Sequence, residues 1–187
     1  MKTSLASSFL YRAMLLLGLT LTVAACGGND SEDDPTPVAG NELRWKINGT
    51  EYQSREAARV QAHYRGSTAT GASSTDKDLL IFGDDNDHYR VSLVIMNFTG
   101  PGTYSFAPGG GSNGSLMELA NNSQYYSTSY SANNPAGQVV VTDFDAAAGT
   151  VKGTFRFNGR IRNTGGSFGA ALDVTDGSFN IKSMWRY

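Results

Sequence analysis

Cys26 is the only cysteine in 187 residues, and just two histidines, His63 and His88, accompany it. A lone thiol builds neither a disulfide framework nor a thiolate metal site. A histidine needs partners converging on it before it acts as acid, base or ligand. His63 falls on the polar side of an alternating stretch and His88 at the exit of a turn, so both read as solvated. Asp84-Asp85-Asn86-Asp87 crowds three carboxylates into one loop, and all-oxygen clusters suit calcium. Its spacing departs from the EF-hand pattern, however, and Asp and Asn have their own backbone reasons to occupy a tight turn. No metal site and no cofactor are expected. No serine stands in a G-x-S-x-G elbow, and no G-x-G-x-x-G or phosphate-binding loop opens a helix. Glu118 is a single acid on an apolar strand, short of the carboxylate pair that glycoside hydrolysis uses. The chain therefore reads as non-catalytic, with a cryptic hydrolase as one alternative.

The stretch best suited to binding is Asn121-Asn122-Ser123-Gln124-Tyr125-Tyr126-Ser127-Thr128-Ser129-Tyr130. Aromatic faces beside amides and hydroxyls can stack on sugar rings and hydrogen-bond to their hydroxyl groups. A glycan site here requires Tyr125, Tyr126 and Tyr130 to lie exposed on one face. The plainer reading is an edge strand, because Tyr and Thr are ordinary strand formers. A calycin-like carrier of a small apolar ligand is the other alternative, and it requires an internal pocket lined by Val, Leu and Phe.

The N-terminal residues address location. Lys2 and Arg12 are the only charges among the first 29 residues, and residues 13–25 form an uncharged, mostly apolar run. A bilayer-spanning helix needs about 20 such residues, so this run fits a secretory signal peptide over 1–25 instead. Val23-Ala24-Ala25-Cys26 resembles the lipobox of bacterial lipoproteins. That resemblance implies a diacylglycerol on the Cys26 thiol and further acylation, by palmitate or a similar chain, of its new amino group. Two or three chains hold stably where one is marginal. The membrane partner would thus be reached through a lipid.

Residues 26–41 then form an acidic tether, with too few apolar residues to order themselves. Gly27 occupies the place where an Asp would resemble the inner-membrane retention signal of enteric bacteria, which points to the outer membrane. Ser31-Glu32-Asp33-Asp34 resembles the export signal of surface lipoproteins in the Bacteroidota, which favours the cell surface over the periplasmic face. Once Lys2, Arg12 and the four tether acids are set aside, residues 35–187 carry 13 basic and 13 acidic residues. A neutral domain offers no electrostatic footprint for nucleic acid.

Residues 42–187 must position whatever site exists. Short alternating runs separated by Gly, Asn and Asp indicate an all-β domain of about nine or ten short strands, either an antiparallel sandwich or a small closed barrel. Leu43, Trp45 and Ile47 alternate with charged residues, and Asn48-Gly49 predicts a two-residue hairpin turn. Ala58 to Tyr64 continues with period two, or Ser54 and Glu56 cap a short helix there. "DLLIFG" and "HYRVSLVIMNF" form the central hairpin, with Val91, Leu93 and Ile95 facing the core. "GTYSF", "SLMEL", "QYYSTSY", "GQVVVTDF" and "GTVKGTFRF" follow, Gly153 marking a bulge, and "LDVTDGSFNIKSMWRY" closes the domain as core.

"WKINGTEY", "GTYSF", "GQVVVTDFD", "GTVKGTFRF" and "VTDGSFNIK", in that order, resemble a family of uncharacterised Bacteroidota lipoproteins across about residues 43–182. The resemblance implies a lipocalin-like or other all-β domain behind a lipobox and supplies no catalytic residues. "ARVQAHYRGSTATGASS" and "NGRIRNTGGSFGA" match nothing in it. Together these readings describe a lipid-anchored envelope protein, a ligand- or glycan-binding module whose partner is a glycan or another envelope component.

Overall fold

A computed structural model describes residues 40–56, 58–66, 77–120 and 124–186. Twelve strands follow one another: β1 (Glu42–Ile47), β2 (Thr50–Ser54), β3 (Gln61–Arg65), β4 (Asp78–Asp84), β5 (Tyr89–Ile95), β6 (Gly102–Phe106), β7 (Asn113–Glu118), β8 (Tyr125–Ser127), β9 (Gly137–Asp145), β10 (Thr150–Arg162), β11 (Phe168–Ile181) and β12 (Trp185–Arg186). A single 3-10 turn, Thr128–Tyr130, follows β8. The fold is all-β, as the alternation requires.

The hairpins follow their turn chemistry. Asn48 and Gly49 take φ of 51° and 81°, the left-handed pair that an Asn-Gly turn needs, and set Ile47 opposite Thr50. Asn86, at φ 87°, turns β4 back into β5. Leu43, Trp45, Ile47, Val91, Leu93 and Ile95 are all buried, so the period of two placed the core face correctly. Arg59 and Val60 N–H donate to the Glu56 carbonyl, β3 starts at Gln61, and no helix is found here among the described residues.

The strands join in the order β12-β3-β4-β5-β7-β8-β10-β11-β1-β2, antiparallel except for β12 on β3. One edge of β10 is shared. Thr150 to Phe157 pair with β9, which also carries β6, while Arg160 and Ile161 pair with β8. The sheet forks there and curls, so that Tyr64 of β3 meets Phe144 of β9 edge-on at 5.0 Å and Phe98 meets Phe144 at 4.8 Å. The result is an open half-barrel around one apolar core, within the sandwich-or-barrel class. Asn41 pins the curl. Its amide donates to the Val60 carbonyl and Ser183 Oγ, and its oxygen accepts from the Lys182 N–H at 2.8 Å. Composition put Asn41 in the tether, but it is a buried member of the fold.

Curvature comes from bulges and glycines. Opposite Gly153 the register skips Thr142 of β9, the bulge expected at that glycine. A second bulge at Asp176 (φ 48°) interrupts the pairing of β11 with both β1 and β10. Two phenylalanines lie over glycines directly across the ladder, Phe155 over Gly177 and Phe179 over Gly153. The rings cover backbone where side chains would collide.

Three strand readings change. β10 and β11 run 13 and 14 residues, longer than the short strands expected, while ten strands lie along the main path of the sheet and β6 and β9 branch from it. "QYYSTSY" yields only three strand residues, because Ser127 Oγ accepts from the Ser129 N–H and turns the chain into the 3-10 turn. The closing run breaks after Ile181, and Trp185 lands on an edge strand with 60% of its surface exposed rather than in the core.

Candidate functional site

The long β10–β11 hairpin runs past the fork, and its tip builds the candidate site. Arg162 pairs with Phe168, and the turn between them closes through Asn163 N–H to the Ser167 carbonyl and Gly166 N–H to the Asn163 carbonyl. Gly166, at φ 81°, supplies the left-handed residue this turn requires. Alternation along β10 sends Ile161 inward, against the core, and Arg160 and Arg162 outward.

β8 lies beside this end of β10, with Ser127 opposite Arg160 and Tyr126 opposite Ile161. Its alternation sends Tyr125 out and Tyr126 in. The 3-10 turn then brings Tyr130 over the hairpin. Its ring centroid is 6.1 Å from that of Phe168, and the Arg162 guanidinium carbon lies 5.9 Å from the Tyr130 centroid. The Arg160 guanidinium sits 5.7 Å from the Phe168 ring. These groups flank an open groove of about 520 Å³ lined by Gln124, Tyr125, Tyr130, Ile161, Arg162, Asn163 and Thr164. Tyr125 is 46% exposed and Phe168 53% exposed. The groove thus offers aromatic faces, amide groups, hydroxyls and a cation, with no acid in its lining.

The three tyrosines do not share one face. Tyr125 and Tyr130 line the groove, but Tyr126 is 8% exposed and belongs to the core side, its phenol donating to Gln124 Oε1 at 3.0 Å. Period two makes this unavoidable for neighbours on a strand. Burial, helped by the Glu118 carboxylate, raises the Tyr126 phenol above its usual range. Tyr89 is raised the same way, by burial first and then by Tyr52, Glu118, Tyr126 and Asp85. Glu118 therefore sits among neutral phenols on the inner side of the sheet. Nearby, Tyr52 stacks on Trp45, whose buried indole N–H has no hydrogen-bond partner among the described residues.

The other chemically suggestive residues take structural positions. His63 lies between the Phe82 and Trp185 rings, at 5.4 and 6.4 Å, and its Nε2 is 3.2 Å from Gln61 Oε1. It is a rung of an outward aromatic ladder, less solvated than alternation alone indicates. His88 is exposed as expected, with Nδ1 3.1 Å from Asp85 Oδ2. Asp85 also accepts the His88 and Tyr89 backbone N–H groups, the turn role anticipated for this loop. Asp84 is buried and accepts from Arg59 at 2.6 Å and Arg90 at 3.0 Å. Burial alone would raise its carboxyl, but the two guanidinium groups outweigh that and hold it below the ordinary carboxylate range. Among the described residues, no group of three or more His, Cys, Asp or Glu side chains is arranged to hold a metal ion.

Cys26, Ser31, Glu32, Asp33 and Asp34 lie outside the described residues, as do Asn121 to Ser123. Sequence reasoning missed Arg160, Arg162 and Phe168, all within "NGRIRNTGGSFGA". The available signal was the Arg-Ile-Arg alternation ahead of a Gly-Gly turn, which predicts two cations on one face of a hairpin.

A family model described as a domain of unknown function, DUF6252, matches residues 54–181. The chain belongs to that family. The DUF6252 match begins at the last residue of β2 and ends with β11, so it contains the whole groove. It agrees with the resemblance to an uncharacterised family over a similar range. No curated protein and no solved structure matches the chain.

Proposed function

We propose that this DUF6252 protein is a non-catalytic glycan-binding module, carried at the outer membrane by a lipid on Cys26. The observation that supports it is the groove in which Tyr125 and Tyr130 stand beside Gln124, Asn163, Thr164 and Arg162. No protein group among the described residues bonds the phenol hydroxyls of Tyr125 and Tyr130. Both remain available to a ligand, and the exposed Tyr125 face suits a sugar ring. The carrier alternative has less support. Leu43, Trp45, Val60, Leu79, Ile81, Leu93, Ile95 and Leu116 are all at 0% exposure, whereas walls of a ligand-sized cavity would touch probe-sized space. For a hydrolase, the His88–Asp85 pair is committed to closing a turn.

The tether reading completes the proposal. The residues from Cys26 up to Asn41 would set the module at a distance from the membrane, and Ser31, Glu32, Asp33 and Asp34 would direct it to the cell surface. Binding is tested with the intact protein against a panel of envelope and host oligosaccharides. Tyr125→Ala and Tyr130→Ala should each weaken the best binder several-fold, because the contact of one aromatic ring is worth about 0.5–1.5 kcal/mol. Unchanged affinity in both variants removes the groove from consideration. Palmitate labelling that vanishes in Cys26→Ala supports the anchor. Protease shaving of intact cells, before and after Glu32, Asp33 and Asp34 are replaced by Ala, separates surface from periplasmic display.

A further inference from the structure

We infer that the glycan taken by this groove is anionic, a saccharide carrying a carboxylate or sulfate that Arg162 receives; this rests on the glycan reading above. The support is a local charge imbalance. Five of the seven other described arginines are paired with acids: Arg44 and Arg55 with Glu42, Arg59 and Arg90 with Asp84, and Arg65 with Asp78. Residues 35–187 contain as many acids as bases, so acids are not scarce. Yet at the hairpin tip Arg160 and Arg162 stand on one face with no carboxylate within ion-pairing distance among the described residues. Asp173, the next acid along β11, is occupied by the Asn158 amide at 2.8 Å.

The two arginines differ in what they have left to give. Arg160 donates Nε and Nη2 to the Gly169 carbonyl, which ties it to the hairpin. Arg162 makes no hydrogen bond to the described residues, and its guanidinium carbon lies over the Tyr130 ring, 5.9 Å from its centroid. A cation–π contact draws a guanidinium toward a ring without using its N–H donors. Those donors fit the two oxygens of a carboxylate or sulfate. Arg162 also lines the groove together with Tyr125, so one ligand can stack its ring and present its anion at the same time. Lysine could supply the charge here but not the paired donors.

The test measures binding of the intact protein to oligogalacturonate, to a heparin-derived oligosaccharide and to a neutral galactan of equal length, at low and high salt. Variants are Arg162→Gln, Arg162→Lys, Tyr125→Ala, Tyr130→Ala and Lys152→Gln, the last an exposed cation outside the groove. At least one anionic sugar should bind about tenfold or more tighter than the neutral one, with the advantage shrinking as salt rises. Arg162→Gln should erase that advantage, Arg162→Lys should restore only part of it, and Lys152→Gln should leave it intact. Which of the two sugars binds tells carboxylate from sulfate. Equal binding of neutral and anionic sugars, or an anion preference that survives in Arg162→Gln, overturns the inference. In that case sensitivity to Tyr125→Ala still upholds the glycan reading. No binding of these three sugars overturns the inference, and saccharide binding indifferent to both Tyr125→Ala and Tyr130→Ala removes the glycan reading as well.

Discussion

Gly177→Ala is the sharpest probe of how the hairpin carrying the groove is built. A Cβ at this position would sit 2.6 Å from three atoms of the Phe155 ring. Carbon atoms in contact ordinarily keep about 3.5–4.0 Å, so the ring would have to retreat by about 1 Å. It has nowhere easy to go. Phe155 is buried and stacked between Phe157 at 6.3 Å and Phe179 at 6.5 Å. Phe179 in turn covers Gly153, where an added Cβ would meet it at 2.5 Å. Overpacking of this kind costs about 1–3 kcal/mol. Replacing glycine by alanine returns about 0.4–1 kcal/mol by narrowing the unfolded ensemble. The net expectation is a loss of about 1–2 kcal/mol, with the cost of retreat outweighing the entropy gain. Urea unfolding of the intact protein should show the midpoint falling by about 0.5–1 M, given slopes of about 1–3 kcal/mol per molar. Phe155→Leu removes the colliding ring, so the double variant should lose about 1 kcal/mol less than the sum of the single losses. A neutral or stabilised Gly177→Ala, or strict additivity with Phe155→Leu, would refute the ring-over-glycine account.

Three further outcomes follow from the same geometry. The folded Asp84 carboxyl is depressed, so its contribution is fully present above the ordinary value of 3.8 and is lost as pH falls through the depressed folded value. Asp84→Asn should therefore lower stability at neutral pH and flatten the loss below pH 3.8, and parallel acid curves for the two proteins would contradict this. Tyr89 and Tyr126 have raised phenols, so the stability tied to their neutral forms is complete below the ordinary value of 10.0 and is lost as pH rises through the folded values. In an ultraviolet titration Tyr126→Phe should remove one late-ionising phenol, and an unchanged late fraction would contradict this. Asn41→Ala should cost about 2–4 kcal/mol in urea unfolding, because it strands the Val60 carbonyl and Lys182 N–H that Asn41 now satisfies. A loss below 1 kcal/mol would mean that water replaces the amide at about the cost of an ordinary bond.

Much of the fold was written in short-range chemistry. Asn48-Gly49 specifies its turn because few residues tolerate two consecutive positive φ values, and the structure shows 51° and 81°. Val91, Leu93 and Ile95 announce a buried face because side chains alternate with period two on any strand. Gly153 signals a bulge for a similar local reason. Such features depend on residues within a few positions of one another, and that range is visible along the chain.

The groove was only half legible. "QYYSTSY" drew attention to Tyr125 and Tyr130, yet the same composition argument enrolled Tyr126, which alternation turns to the opposite face. Arg160, Arg162 and Phe168 went unread because their meaning depends on partners thirty or more residues away in the chain, Ser127 and Tyr130. Trp185 looked like core until its strand was found pairing in parallel with β3 at the sheet's edge. Asn41 looked like tether until Val60 and Lys182 were found beside it. By itself the sequence determined an all-β domain, the inward and outward faces of most strands, and the turn residues, since each follows from local backbone preference and burial. Tertiary structure alone decided where the sheet forks and curls, and with that which tyrosines and arginines meet, because side chains distant in sequence become neighbours only once strand order and register are set.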